Sequence, residues 1–211
     1  MTGMTEAENK TQETRAFFDR CADTWDARCR HDPRKIAAIV TLAGVKPGCH
    51  VADLACGTGA LFREILSRGP EFLLGVDLSE KMIAKARSKC SDPRLRLLAS
   101  DVFDISVGGF DCLLLYSAYP HFPDKKRLAA QMASMLKTGG RFLVAHSESR
   151  AAINGCHRGE QISPISWKLH SAREEAENFS GLFAIDMLAD TEDIYFFSGT
   201  KKQPAAGKIN I

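Results

Sequence analysis

Val51-Ala52-Asp53-Leu54-Ala55-Cys56-Gly57-Thr58-Gly59 is a short apolar run closed by an acid and followed by small residues. It reads as a strand, His50–Leu54, giving way to a helix over Gly59–Arg68. Small residues at 55, 57 and 59 let the backbone turn tightly and let a ligand approach its N–H groups. The start of the next helix favours a carboxylate or phosphate. Taken alone, the loop is weak evidence, since a tight strand–helix turn with no ligand is also open.

The alternation continues outward from this point. Strands are expected at Phe72–Val76, Leu95–Ala99, Phe110–Tyr116 and Arg141–His146. A helix over Ser79–Lys89 is capped by Ser79, and another, capped by Asp124, carries Leu128, Met132, Met135 and Leu136 on one face and ends at Gly139-Gly140. Cys112-Leu113-Leu114-Leu115 has no polar alternation, which suits a strand buried on both faces of a parallel sheet. Ser171 and Glu174 form a capping box for a last helix. Leu182–Leu188 and Asp193–Thr200 stand too close for a helical crossover and read as a hairpin. The expected fold is therefore α/β: a Rossmann-like, doubly wound, mainly parallel seven-stranded sheet ending in an antiparallel β-hairpin.

The flanks differ. Residues 1–10 read as a disordered leader. From Thr11 to Cys29, Phe18, Cys21, Ala22, Trp25 and Cys29 share one helical face. Asp32-Pro33 then caps a helix whose stripe is Ile36, Ile39, Val40 and Ala43. Residues 147–170 lack periodicity, and so long an irregular stretch in a compact domain points to function. The expected organisation is a helical lid at 1–31, the main domain at 32–200 with 147–170 as a substrate-cap insertion, and a tail at 201–211.

Two more acids strengthen the first. Asp77 follows the second strand, 24 residues after Asp53, where a carboxylate accepts both hydroxyls of a ribose. Asp101 follows the third strand, where it can receive an adenine amino group. Nicotinamide dinucleotide and S-adenosylmethionine both fit such a series. The dinucleotide fingerprint needs a third small residue, and Gly57-Thr58-Gly59-Ala60-Leu61-Phe62 ends in a bulky ring. The terminal hairpin also suits a methyltransferase sheet better than a dehydrogenase one.

Composition sets the outer bounds. The 211 residues carry 28 Lys and Arg against 26 Asp and Glu, a formal charge of +2, too weak to imply nucleic acid or an anionic membrane as partner. The longest nearly apolar stretch, Ile36–Val45, is half the ~20 residues that cross a bilayer. Seven cysteines without a C-x-x-C pair argue against a disulfide framework or structural zinc site. The expectation is a reduced, cytoplasmic setting, with monomer and homodimer both open.

On these residues the chain resembles class I S-adenosylmethionine-dependent methyltransferases, particularly the small-molecule branch with the ubiquinone and menaquinone enzymes. The resemblance rests on Asp53–Gly59, Gly75-Val76-Asp77-Leu78-Ser79, Ala99-Ser100-Asp101-Val102, Phe110-Asp111 and Leu136–Leu143, and spans roughly residues 35–200. Ala55 stands where many members have glycine. The resemblance implies S-adenosylmethionine as co-substrate and a small-molecule methyl acceptor. It implies that Asp53 and the backbone of Ala55, Cys56, Gly57 and Gly59 surround the methionine end. Asp77 would hold the ribose, Leu78 and Met82 flank the adenine, and Asp101 and Val102 read its edge. Tyr116 and Ser117 would line the methyl-transfer face, and Phe18 and Trp25 would close over the site, unless they are ordinary core residues. A non-catalytic module that binds the same ligand is the alternative.

The acceptor is not written in the sequence. Tyr116-Ser117-Ala118-Tyr119-Pro120-His121-Phe122-Pro123 lacks the Asn/Asp-Pro-Pro-aromatic signature, which argues against methylation of nucleic-acid amino groups. His121 follows the fourth strand and His146 ends the fifth, so both are candidates for general base. Together with His157 they are also a candidate set for a metal ion, since imidazole suits zinc and other transition metals.

Overall fold

The computed structural model describes residues 6–156 and 165–203. Seven strands form one sheet in the order β3-β2-β1-β4-β5-β7-β6. They are β1 (His50–Leu54), β2 (Phe72–Asp77), β3 (Leu95–Ala99), β4 (Phe110–Tyr116), β5 (Leu136–His146), β6 (Phe183–Asp190) and β7 (Tyr195–Lys201). The first five run parallel, and β7 pairs antiparallel with both β5 and β6. This is the expected sheet with its terminal hairpin.

Why the central strands are apolar throughout is visible in the two cores. On β4, Leu113 and Leu115 pack into one cluster with Leu128, Met132, Phe142 and Phe179. Cys112 and Leu114 pack into the other with Ile39, Val40, Phe62 and Ile83. Alternate side chains of one strand thus enter opposite layers, so neither face can be polar. The layers come from α3 (Pro33–Leu42), α4 (Phe62–Ser67) and α5 (Glu80–Lys89) on one side, and α6 (Lys125–Met135) and α8 (Ala172–Ser180) on the other. Caps fix their starts. Asp32, Ser79 and Asp124 each accept a backbone N–H, and Ser171 with Glu174 completes a capping box.

Several boundaries differ from those expected. Residues 6–10 belong to α1 (Glu6–Cys21), not to a leader; residues 1–5 lie outside those described. The expected single helix to Cys29 is broken by a 3₁₀ turn at Ala22–Thr24 before α2 (Trp25–Arg28). Helix α4 starts at Phe62 instead of Gly59, because Gly59 is held at φ +85° by the loop. Helix α6 stops at Met135, and the Gly139-Gly140 pair lies within β5. A Cβ on Gly140 would lie 2.9 Å from the Lys137 carbonyl oxygen and 3.1 Å from that of Phe110 on β4, so close backbone approach within the sheet, and not helix termination, requires that glycine. The segment read as irregular from 147 to 170 contains α7 (Arg150–Cys156).

Candidate active site

Parallel strands deliver their carboxyl ends to one edge of the sheet, and the acids of β1 and β2 arrive there side by side. Asp53 is 1% exposed, and its Oδ1 has no hydrogen-bond partner among the described residues. Burial, then the neighbouring Asp77, pushes its carboxyl well above the usual range. Asp77 is better satisfied. It accepts the Gly57 N–H at 2.7 Å and the Ser79 N–H at 2.9 Å. Burial nevertheless outweighs those bonds and pushes it up to about 6. Asp101 caps the turn after β3 by accepting the Phe103 N–H.

The loop between β1 and α4 holds unusual backbone. Ala55 sits at φ +51°, in the left-handed region that costs a non-glycine residue about 1–2 kcal/mol. That cost comes from the Cβ that alanine carries, so glycine would be the less strained residue at position 55. Phe62 explains why no third small residue follows Gly57 and Gly59. A Cβ on Gly59 would lie 2.4 Å from its ring, and a Cβ on Gly75 of β2 would lie 2.6 Å from it. The ring fills the space between helix and strand that a dinucleotide loop keeps for close packing.

Above this edge lies a cavity of about 1040 Å³, at the upper end of the ~300–1,000 Å³ typical of small-molecule sites. Most of the sequence-derived ligand residues line it: Ala55, Cys56, Gly57, Asp77, Leu78, Met82, Asp101, Val102 and Tyr116. Asp53 and Gly59 are set behind the lining. Ser117, at φ +55°, also faces the cavity, its N–H held by the Ala145 carbonyl at 2.9 Å.

The far wall comes from the N-terminal helices. Phe18 and Trp25 meet edge to face at 5.6 Å, and Phe18 meets the His121 ring at 5.0 Å. Three acids tie this wall to the loop and to α5. Asp19 accepts from the Ser79 hydroxyl at 2.5 Å. Asp26 accepts from Thr58 Oγ1 at 2.5 Å and from Lys89 at 2.8 Å. Asp23 pairs with Lys85 at 2.8 Å.

Both candidate histidines, His121 and His146, line the cavity. His121 Nδ1 lies 2.9 Å from the Ile165 carbonyl oxygen and 3.0 Å from Ser166 Oγ. His146 is buried, its ring 6.0 Å from that of Tyr195. His157 lies outside the described residues. Among those described, no group of three His, Cys, Asp or Glu side chains is placed to hold a metal ion.

Sequence reading missed a hydrogen-bonded trio on the same wall. His31 Nδ1 lies 2.7 Å from Tyr116 Oη, which lies 2.7 Å from Ser147 Oγ. Burial lowers the pKa of His31 and raises that of Tyr116. No local signal marks His31, since its partner is 85 residues away.

Fold, loop and acid series together resemble those of class I S-adenosylmethionine-dependent methyltransferases, and the comparisons point the same way. A family described as a methyltransferase domain matches residues 51–140. Trans-aconitate 2-methyltransferase of Deinococcus radiodurans is 35% identical over 56% of this chain and 47% of its own length. Ubiquinone biosynthesis O-methyltransferase of Coxiella burnetii is 26% identical over 64% of this chain and 61% of its own. The chain thus spans about half to three-fifths of the curated relatives it matches. Magnesium protoporphyrin IX methyltransferase of Synechocystis PCC 6803, solved with bound S-adenosylhomocysteine, shares the fold at TM-score 0.70 and 17% identity, covering 92% of this chain and all of that one.

Proposed function

We propose that this protein transfers a methyl group from S-adenosylmethionine to a small-molecule acceptor. The observation that carries the reading is the paired carboxylates Asp53 and Asp77 at adjacent strand ends, with Asp77 holding the Gly57 N–H. Buried acids without cations beside them favour a ligand that brings hydroxyls and an ammonium group. Asp53 Oδ1, lacking a partner among the described residues, suits the ammonium of the methionine end through a bridging water. Asp77 keeps lone pairs for the ribose hydroxyls. Leu78 and Met82 provide apolar walls for the adenine, and Asp101 with Val102 its polar edge. Arg28 and Arg30, at the cavity mouth with no acidic partner among the described residues, complement the methionine carboxylate.

Methyl transfer from a sulfonium is an in-line displacement, so the chain's own task is alignment and exclusion of water. Phe18 and Trp25 on the N-terminal helices, with Trp167 and Phe122 opposite, form an apolar cover over the acceptor side. Within the 1–31 lid, residues 6–31 lie over this side, tied down by Asp19 and Asp26. His121 and His146 belong to the acceptor wall, His121 also anchoring Ile165 and Ser166. The curated relatives are named for small-molecule acceptors, and no described helix is long and apolar enough to cross a membrane. Seven free cysteines fit a reducing, cytoplasmic setting.

The test is titration calorimetry with S-adenosylmethionine, S-adenosylhomocysteine and NAD, followed by assay of S-adenosylhomocysteine release. Binding of the first two and not the third is expected. Equal or tighter binding of NAD refutes the reading. Binding without turnover of any acceptor would favour the non-catalytic module.

A further inference from the structure

We infer that His31 is the general base of the acceptor site, held in its reactive tautomer by Tyr116, and that the acceptor is a hydroxyl or thiol compound. The inference rests on the methyltransferase reading and adds to it the class of acceptor. Its basis is the geometry of the trio. The Tyr116 hydroxyl donates to Ser147 Oγ at 2.7 Å. We take that proton as given to Ser147, so that the same oxygen accepts from His31, 2.7 Å away. That places the imidazole proton on Nδ1 and the lone pair on Nε2. All three side chains line the cavity.

Three separate elements converge to build this arrangement. His31 comes from the link between α2 and α3, Tyr116 ends β4, and Ser147 follows β5. Lys35 fixes the last of these, donating to the Ser147 carbonyl oxygen at 2.8 Å and to that of Asp193 at 2.6 Å. A base carried by the N-terminal segment is assembled only when that segment lies over the sheet edge. Proton removal is thereby coupled to closure of the site.

The protonation state agrees with the role. Burial lowers the His31 pKa and, among the charges facing the ring, Lys89 of α5 acts in the same direction. Asp26 of α2 and Glu148 beyond β5 oppose them. The result is a neutral imidazole at pH 7, able to take a proton. Burial raises the Tyr116 phenol, which stays protonated and so positions the base without replacing it.

The step balances. A lone pair on the acceptor oxygen or sulfur forms the bond to the methyl carbon. The carbon–sulfur bond of the sulfonium breaks, with its pair remaining on sulfur as a thioether. The acceptor's proton passes to His31 Nε2 and from there to solvent. An aromatic amine, neutral and nucleophilic already at pH 7, and a carboxylate, ionised at that pH, gain far less from such a base.

Two measurements test this. In the first, kcat for S-adenosylhomocysteine release at saturating S-adenosylmethionine is followed from about pH 5 to 9 with catechol, benzyl mercaptan, aniline and benzoate. Catechol or benzyl mercaptan is expected to react, with kcat falling as pH drops through an ionisation below the ordinary histidine value. His31→Gln should lower that turnover about 10²–10⁴-fold, remove the acid limb and leave cofactor affinity unchanged. Tyr116→Phe should keep an acid limb while lowering turnover. Methylation confined to aniline or benzoate overturns the inference, as does survival of that ionisation in the kcat profile of His31→Gln. So does failure of all four probes in a protein that binds S-adenosylmethionine. Absence of that binding removes the methyltransferase reading itself. The second measurement needs no acceptor. Nitrogen NMR of histidine-labelled protein with S-adenosylhomocysteine should show His31 neutral and protonated at Nδ1 at pH 7, and an Nε2-protonated or charged ring overturns the assignment.

Discussion

Asp77, the last residue of β2, accepts the backbone N–H of Gly57 across the strand boundary at 2.7 Å. One carboxylate thereby fixes the β1–α4 loop and faces the cavity, so its loss has two consequences. Asp77→Ala removes a charged acceptor worth about 1.5–3 kcal/mol, and S-adenosylmethionine affinity should fall roughly 10- to 100-fold. Calorimetry on the folded variant reads this directly; unchanged affinity removes Asp77 from the ribose role.

The same carboxyl titrates at about 6. Ribose hydroxyls donate to its charged form, so cofactor affinity should decline as pH falls below that value. A calorimetric series from neutral to mildly acidic pH is the check. A flat series would mean the ionised form is not the one that binds.

Stability without ligand should run in the opposite direction. A carboxyl whose folded-state pKa is raised contributes stability that is complete below its unfolded value, about 4. That contribution is lost as pH climbs through the folded value, about 6 for Asp77. Asp53 is raised too, so the ligand-free protein should weaken as pH rises across this window. Asp53→Asn removes one of the two charges and should flatten the trend, with a gain of about 1–3 kcal/mol at neutral pH. Urea unfolding at two pH values measures it, and an unchanged pH dependence in Asp53→Asn would count against a buried charge at this site.

Asp19 and Asp26 hold the N-terminal helices to Ser79, Thr58 and Lys89. Removing both carboxylates should speed hydrogen exchange over residues 6–28 while the central strands keep their protection. Cofactor should slow exchange in the same segment of the unmodified protein. No change in either experiment would make this segment a fixed wall.

His121 and His146 line the same cavity, and the assignment of the base to His31 leaves them other roles. His121→Ala loses the contacts of its Nδ1 with Ile165 and Ser166 and should raise the apparent KM for the acceptor more than it lowers kcat. His146→Ala empties a buried site beside Tyr195 and should act mainly on stability. Chelators should leave activity untouched. A 10²-fold or larger fall in kcat for either variant, with cofactor binding intact, would restore it as a catalytic candidate.

Much of the fold is local chemistry, which is why it is legible in the chain. Unbroken apolar runs such as Cys112–Leu115 can be buried only on both faces, and Ser79, Asp32 and Ser171 mark helix starts because their side chains satisfy donors within three residues. The acid series at 53, 77 and 101 reads from strand ends alone. Boundaries fail where a distant element intervenes. Gly139-Gly140 looks like a helix stop, yet the approach of Phe110 from β4 draws it into β5. Local signals likewise could not show that Phe62 packs on Gly75.

The sequence by itself determined a doubly wound parallel sheet with a terminal hairpin and a carboxylate at each of three consecutive strand ends, because strand periodicity and turn chemistry act over a few residues. The tertiary structure alone decided that Asp26 reaches Thr58, that Asp19 reaches Ser79, and that His31 meets Tyr116 and Ser147. Such contacts depend on where packing brings elements together, tens of residues apart along the chain, and no local pattern of residues encodes that distance.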